Sequence, residues 1–298
     1  MKAHRIPSSE ELAIIEGYKL LAPPEHFGLH EEADRELFRL NPSHLYVPSI
    51  EVSEKLGNIT IATVGGAFGV GKGAAVTEAI KLSAQTPPYK GVGPIHPVVS
   101  GTTRIPQFRD GAIEEEGKHY YFAYELEQNR RLADSLRNGT LVQYAQPRGD
   151  GDIYFTEISH YPDDGIALLD AVPSAIVDLN RVLKPVGKTA IGIYRTAFFD
   201  QWMRQIRTRG DVIRLNGKIV DNDNYTKRMK EARTSIIQAM DLRKELDIKF
   251  FEAQTREGAG EAVIDILVGE HSEDKQKRAE KAAHSMLKGL EKRGFKGD

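Results

Sequence analysis

The sequence predicts an α/β fold in which a mainly parallel β-sheet lies between two layers of helices. Three observations lead to this prediction. Short β-branched runs alternate with segments of helical periodicity over residues 57–270. The first of these runs leads into a glycine-rich stretch and then a helix. Hydrophobic residues make up 40% of the 298 residues and charged residues 28%, a balance that provides enough apolar material for a packed core.

Net charge and composition limit the kinds of molecule and surface that the chain is expected to bind. The net charge is −2, so we expect no broad attraction to nucleic acid or to a membrane surface. The chain has no cysteine, which excludes disulfides, thiol nucleophiles and thiolate metal sites. The first residues lack the apolar core of a signal peptide, and no apolar run approaches the roughly 20 residues of a membrane-spanning helix. We therefore expect a soluble, cytoplasmic protein.

Three zones follow one another along the chain. Residues 1–56 are expected to form a helical extension, with capping-box spacing at Ser8-Ser9-Glu10-Glu11 and a second helix over Glu31–Leu40. Residues 57–270 are expected to form the α/β domain, and residues 271–298 a Lys/Glu-rich helix or a frayed tail. The last zone has a weak apolar stripe of Ala279, Ala283, Met286, Leu287 and Leu290. Both terminal zones are candidates for contacts with a second copy or a protein partner.

The elements of the α/β domain follow from its residue patterns. Core strands are predicted where β-branched and apolar residues run together, at Asn58–Val64, Val98–Ser100, Ile166–Leu169, Thr189–Tyr194 and Ile248–Phe251. Helices are predicted at Lys72–Leu82, Glu125–Asn138, Pro173–Leu183, Asp200–Arg207, Asn224–Leu246 and Gly260–Val268. Helices between successive strands favour parallel pairing.

A glycine-rich loop joins the first strand of this domain to its first helix. Glycines let the backbone turn so that N–H groups point at phosphate oxygens, while a lysine and a helix N-terminus add positive charge. We therefore expect a phosphate-binding P-loop. Its residues are Gly66, Phe68, Gly69, Val70, Gly71, Lys72, Gly73 and Ala74. The Ser or Thr that commonly follows the lysine, and whose hydroxyl binds Mg²⁺, is absent, because Gly73 occupies that position.

A second motif follows the loop along the chain. It reads Val99-Ser100-Gly101-Thr102-Thr103-Arg104-Ile105-Pro106 and is followed by Gly117-Lys118-His119-Tyr120-Tyr121-Phe122. A serine hydroxyl, an arginine and a tyrosine can bind a dianionic phosphate together, and the guanidinium adds bidentate geometry. In this order the motifs resemble the guanylate kinase family, in which S-x-T-T-R-x-P is followed by G-x-x-Y-x-F.

The resemblance covers roughly residues 57–268 and neither terminal zone. Leu141-Val142-Gln143-Tyr144-Ala145 is similar to the F-x-E-W-A segment of the family, and Leu168-Leu169-Asp170 to the strand end that carries a Walker-B-type aspartate. Met203–Asp211 resembles the arginine-rich lid, and Arg228 with Ala232 fits the helix that follows it. The resemblance therefore implies a sheet domain with a small acceptor subdomain and a lid.

The resemblance implies transfer of the γ-phosphate of ATP, with Mg²⁺, to a nucleoside monophosphate such as GMP or dGMP, or to a related sugar phosphate. The residues implied to act on the transferred group are Lys72, Arg204, Arg207, Arg209 and Arg228. The residues implied to bind the acceptor or its metal are Ser100, Arg104, Arg109, Glu114, Tyr120, Gln143, Tyr154, Thr156 and Asp170.

Four departures from the family pattern leave a second interpretation open. Gly73 and Ala74 supply no hydroxyl, Gln143 replaces the glutamate that reads guanine, and Val172 replaces a second acidic residue. The loop around Arg109 is lengthened, so the register of that arginine is open. The alternative is a weakly active or inactive guanylate kinase-like module that binds phosphorylated partners or nucleotide. An enzyme should bind ATP with Mg²⁺ and a monophosphate, whereas a binding module should not bind ATP.

Overall fold

The computed structural model describes residues 28–109, 112–145, 151–208 and 223–295, together with the short pieces 9–10, 13, 214–215 and 218–219. In chain order, the helices of these segments are α1 (Glu32–Leu40), α2 (Ile50–Leu56), α3 (Lys72–Ser83), α4 (Leu126–Arg137), α5 (Ala175–Leu183), α6 (Phe199–Thr208), α7 (Asp223–Leu246), α8 (Arg256–Leu267) and α9 (Glu273–Lys292). The strands are β1 (Thr60–Gly66), β2 (Ile95–Val98), β3 (Gly101–Thr102), β4 (Phe108–Arg109), β5 (Ala112–Ile113), β6 (Tyr121–Phe122), β7 (Leu141–Ala145), β8 (Tyr154–Glu157), β9 (Ile166–Asp170), β10 (Ile191–Thr196), β11 (Arg214–Leu215), β12 (Lys218–Ile219) and β13 (Lys249–Glu252).

The chain folds into two compact units. The first unit is drawn from the segments Met1–Ile59, Val98–Asp163 and Asp178–Thr189. The second unit is drawn from Thr60–Pro97, Asp164–Val177 and Ala190–Asp298. Within the described residues, no helix is both long and apolar enough to cross a membrane.

The second unit is built on a five-stranded sheet in the order β13-β10-β1-β9-β2. Strand β1 pairs in parallel with β9 and β10, and β10 pairs in parallel with β13. Val64 lies opposite Asp170 on one neighbour and Ile193 on the other, so the carboxyl ends of these strands share one edge of the sheet. This confirms the predicted α/β class with a mainly parallel sheet, and it is consistent with a three-layer arrangement.

Helices α3 and α8 pack closely on this sheet. Their buried residues, Ala75, Val76, Ala79, Ala259, Val263 and Ile264, share a core with Val64, Leu168 and Ile193. The two helices approach closely because α8 carries Gly260, where an added Cβ would lie 2.7 Å from the Cβ of Glu78. Small side chains at this contact allow the backbones to come together and exclude water from the sheet face.

Helix α9 accounts for most of the C-terminal zone. Its buried residues include Ala279, Ala283, Met286 and Leu290, which belong to the apolar stripe of the sequence. At Gly289 an added Cβ would lie 2.2 Å from the ring of Phe199 on α6. The stripe therefore packs against other elements of the second unit. Of the two predicted alternatives, a helix or a frayed tail, the structure confirms a helix over Glu273–Lys292.

The first unit contains a four-stranded sheet in the order β6-β3-β8-β7. The pairings of β8 with β3 and β7 are antiparallel, whereas β3 and β6 are parallel. Helices α1 and α4 contribute Phe38 and Leu132 to an apolar cluster that also contains Tyr144 and Phe155 of the sheet. The helix predicted over Glu31–Leu40 is confirmed as α1, with Glu31 as its N-cap.

Several boundaries differ from the predicted ones. Strand β1 runs from Thr60 to Gly66 rather than from Asn58 to Val64, so the first loop glycine ends the strand. The strand predicted at Val98–Ser100 lies earlier, at Ile95–Val98. The two-residue strands β3 and β6 were not predicted, because strands this short have no periodicity to detect. The capping box at Ser8-Ser9-Glu10-Glu11 lies largely outside the described residues.

Candidate functional site

The glycine-rich loop joins β1 to α3 in the second unit. Gly69 and Gly71 have φ angles of +73° and +93°, in the left-handed region that glycine adopts without strain. Gly71 is the N-cap of α3, and its carbonyl accepts a hydrogen bond from the N–H of Ala75 at 3.2 Å. The N–H of Val70 donates to the carbonyl of Ala67 at 3.2 Å. The chain thus makes a tight turn that ends at a helix N-terminus, where N–H groups lack acceptors within the helix.

Lys72 folds back over this loop. Its Nζ donates a hydrogen bond to the carbonyl of Gly66 at 3.0 Å and lies 4.0 Å from Oδ1 of Asp170, at the carboxyl end of β9. The side chain of Asp170 is 49% exposed and that of Lys72 is 22% exposed, so both retain access to solvent. This arrangement places a cation and a carboxylate together beside the loop backbone.

Two neighbouring helices support Phe68 within the loop. The indole Nε1 of Trp202 on α6 donates to the Phe68 carbonyl at 2.7 Å, and the Trp202 side chain is fully buried. The guanidinium carbon of Arg228 on α7 lies 4.6 Å from the centre of the Phe68 ring, a cation–π contact. Arg228 is therefore close to the loop. Arg204 and Arg207 are exposed on α6, and Arg209 lies outside the described residues.

The position after Lys72 has room for a larger residue. A Cβ added to Gly73 would meet no heavy atom within 4 Å. Crowding therefore does not explain why glycine, which has no hydroxyl, follows Lys72. Among the described residues, no group of three or more His, Asp or Glu side chains could hold a metal ion.

Arg195 lies beside the loop and was not singled out from the sequence. It stands near the carboxyl end of β10, and its Nη1 donates to the Gly71 carbonyl at 2.6 Å. The residue is 4% exposed, and in the described part of the chain its Nε has no hydrogen-bond partner. Burial lowers the pKa of Arg195 to about 10, against the raising effect of Glu252. The signal that could have identified it in the sequence is its charge, because it directly follows the apolar strand predicted at Thr189–Tyr194.

The second motif surrounds β3 in the first unit. Gly101 and Thr102 of β3 lie opposite Tyr121 and Phe122 of β6, and the Ser100 carbonyl accepts a hydrogen bond from the Tyr121 N–H at 3.0 Å. An added Cβ at Gly101 would lie 2.2 Å from the ring of Phe155, which explains why glycine is needed there. The backbone of the motif is thereby held between two neighbouring strands.

Arg104 and Glu114 form a buried ion pair in this unit. Nη1 of Arg104 lies 2.5 Å from Oε2 of Glu114, and Nη2 lies 2.9 Å from Oε1. Nη1 also donates to the Ile105 carbonyl at 2.9 Å, and the Gln107 N–H donates to Glu114 at 3.0 Å. Burial acts to lower the pKa of Arg104, but the hydrogen bonds and charge of Glu114 outweigh it, so the pKa is raised.

Two tyrosines complete the surroundings of Arg104. Its Nε donates to the hydroxyl of Tyr154 at 3.2 Å, and its guanidinium carbon lies 4.6 Å from the centre of the Tyr120 ring. The two tyrosine rings meet edge to face at 5.9 Å. The structure thus brings together Arg104, Glu114, Tyr120 and Tyr154, four residues that the resemblance implied at the acceptor.

The other implied acceptor residues are placed differently. Gln143 is buried on β7 and lies opposite Thr156 of β8. Thr156 is fully buried, and its hydroxyl is hydrogen-bonded to that of Tyr161 at 3.1 Å, which favours a structural role over substrate contact. The backbone of Arg109 belongs to β4, whereas its side chain lies outside the described residues.

Comparison with protein-family models and with curated proteins finds no match to this chain. The resemblance to guanylate kinases therefore rests on the sequence motifs alone.

Proposed function

We propose that the protein is a phosphotransferase of the guanylate kinase type. It would move the γ-phosphoryl group of ATP to the phosphate of a nucleoside monophosphate, GMP or dGMP, or of a related phosphorylated acceptor. The observation that carries this proposal is the position of Lys72, whose Nζ lies 3.0 Å from the Gly66 carbonyl and 4.0 Å from Asp170. The cluster lies at the carboxyl end of a parallel sheet, where α/β folds bind their ligands.

Phosphoryl transfer depends on positioning and charge neutralisation more than on covalent help from the protein. The bond from the γ-phosphorus to the β,γ-bridging oxygen breaks, a bond to an acceptor phosphate oxygen forms, and ADP leaves. The Lys72 ammonium and the N–H groups at the start of α3 would hold the donor phosphates. Asp170 would hold Mg²⁺ together with phosphate oxygens, and the ion would neutralise charge on the transferred group.

The acceptor phosphate would bind at the cluster around Arg104. Glu114 and the ring of Tyr120 hold its guanidinium in place, and the hydroxyls of Tyr120 and Tyr154 can donate to phosphate oxygens. Ser100 would add a further hydroxyl. The amide of Gln143 both donates and accepts, so the base it prefers need not be guanine.

Arg228 of α7, together with the three arginines between positions 204 and 209, would provide positive charge for the transferred group. Arg228, which contacts Phe68 of the loop, is the best placed of them. Arg204, Arg207 and Arg209 have the same role in this proposal.

A second candidate function is a guanylate kinase-like module that binds phosphorylated partners without transfer. Val172 favours it, because this residue replaces an acidic side chain that the family pattern has near the base and the metal. The absence of a hydroxyl at Gly73 and Ala74 points the same way.

An ATP-consumption assay with Mg²⁺ separates the two functions. The acceptor panel would contain nucleoside monophosphates and sugar phosphates, and the proteins would be the wild type, Lys72→Met and Lys81→Met. Lys81 is the matched control, since it is an exposed lysine of the same helix that pairs with Glu78. We expect turnover with one acceptor, a loss of about a hundredfold or more in Lys72→Met, and little change in Lys81→Met.

Two results would contradict the proposal. Folded wild-type protein that turns over none of the acceptors would favour the binding module. Unchanged turnover in Lys72→Met would remove the lysine from the mechanism.

A further inference from the structure

Arg195 occupies a strand position where an apolar side chain would be less costly. It lies opposite Gly66 of β1 and opposite Phe251 of β13, in a row that crosses three strands near their carboxyl ends. Its neighbour Tyr194 bonds to Ser235 of α7, and because side chains alternate along a strand, Arg195 faces the opposite side. That side carries α3 and the glycine-rich loop.

The guanidinium of Arg195 packs directly against the loop backbone. A Cβ added to Gly71 would lie 3.2 Å from both Cζ and Nη1 of Arg195, so glycine allows this close approach. Glu252, the carboxylate that supports the charge of Arg195, forms its own ion pair with Nε of Arg278 at 3.0 Å. A buried donor without a partner lowers stability, so an Nε that none of the described residues satisfies calls for a benefit elsewhere.

The hydrogen bond to Gly71 determines the direction of the next peptide group. Because the peptide is planar and trans, the N–H of Lys72 points away from the carbonyl that Arg195 holds. This N–H is among the first of α3, which lack acceptors within the helix. Arg195 therefore turns a backbone donor away from itself and places a buried positive charge behind it.

We propose that Arg195 is a positioning residue for a polyphosphate ligand of the glycine-rich loop. It orients the Gly71–Lys72 peptide toward the phosphate chain and adds a fixed positive charge from behind the loop. This inference rests on the proposed function, and it specifies the di- or triphosphate end of the donor as the chemistry that the loop recognises.

Binding of inorganic tripolyphosphate to the full chain tests the inference without requiring turnover. Trp202 is the single tryptophan of the chain and bonds to the loop at Phe68, so its fluorescence reports binding there. The variants are Arg195→Met, which keeps length without charge, and Arg195→Lys, which keeps charge without the planar fork. Arg243→Met is the control for net charge, because Arg243 belongs to the same unit and pairs with Glu280.

We expect wild-type protein and Arg243→Met to bind alike. We expect affinity to fall about tenfold in Arg195→Met and about threefold in Arg195→Lys. If folded Arg195→Met binds like the wild type and has lost only thermal stability, the residue is structural and the inference is wrong. If Arg195→Met does not fold, Arg195→Lys decides, and an affinity within about twofold of the wild type overturns the inference. Wild-type protein that does not bind tripolyphosphate overturns the proposed function itself, and the inference with it.

Discussion

The carboxylate of Glu114 accepts two hydrogen bonds from the guanidinium of Arg104, at 2.5 Å and 2.9 Å, in a site where both side chains are almost completely buried. Two charges removed from water in this way are costly unless each satisfies the other. The pair therefore holds the Arg104 guanidinium in place beside Tyr120 and Tyr154.

A double-mutant cycle tests the coupling between these residues. We expect Arg104→Met and Glu114→Leu each to lower the free energy of unfolding by about 3–5 kcal/mol, because each leaves a buried charge without its partner. The double variant should lose much less than the sum, since it buries no unpaired charge. Urea unfolding of the four proteins gives the cycle, and additive losses would show that the pair is not coupled.

A serine at position 73 should strengthen the metal dependence of an active enzyme. The position has room for it, and the added hydroxyl could bind Mg²⁺ beside the phosphates. We expect Gly73→Ser to reduce the Mg²⁺ concentration for half-maximal ATP consumption by about threefold or more. Gly73→Ala, which adds the Cβ alone, is the control, and equal titrations for the two variants would exclude a hydroxyl effect.

Two helical glycines should respond in opposite directions to alanine. Gly289→Ala places a Cβ against the ring of Phe199, and we expect a loss of about 1–3 kcal/mol despite the better helix propensity of alanine. Gly73→Ala meets open space, so we expect a gain of about 0.5–1 kcal/mol. Chemical unfolding measures both, and a stabilising Gly289→Ala would show that α9 does not pack closely on α6.

We expect the first unit to become less stable at acidic pH, because protonation of the buried His160 is unfavourable in the folded state. Burial lowers the pKa of this histidine to about 4, its Nδ1 accepts a hydrogen bond from the Glu157 N–H, and its ring stacks on Tyr121. The unfolded chain therefore binds more protons between about pH 6.5 and about pH 4, so this contribution to stability is complete above pH 6.5 and is lost as the pH falls.

His160→Asn keeps an acceptor but does not titrate in this range. We expect the stability advantage of the wild type over this variant to shrink by about 1–2 kcal/mol between about pH 7.5 and about pH 5. Comparison with the variant is needed because burial raises the pKa of Asp178 to about 6, which makes stability fall with rising pH in an overlapping range. A constant difference between wild type and variant would contradict the shifted pKa.

The glycine-rich loop and its flanking elements were predictable from sequence because their signals are local. A stretch of small residues after the loop identified the helix that begins at Lys72, and runs of β-branched residues identified the sheet strands. Strand β1 begins and ends two residues later than predicted, because Gly65 and Gly66, which are typical of loops, continue the pairing with β10. Pairing across the sheet overrode local propensity at that point.

Local sequence patterns did not predict the side-chain contacts of the candidate sites. The resemblance implied that Arg104 and Glu114 bind an acceptor, but the sequence did not show that the two residues bind each other, and nothing in it singled out Arg195. Likewise, Thr156 was expected at the substrate, whereas its hydroxyl is hydrogen-bonded to buried Tyr161. These features depend on which side chains meet after folding.

By itself, therefore, the sequence determined the α/β class and the order of its main elements, and it contains the glycine-rich loop and the second motif on which the phosphate hypothesis rests. Periodicity and turn chemistry are encoded over a few neighbouring residues, which is why they can be read directly. Only the tertiary structure decided which charges are buried, which pairs satisfy one another, and that α9 packs its apolar face on the second unit. Burial and pairing join residues far apart in the chain, and their energies arise only when the folded backbone brings those residues together.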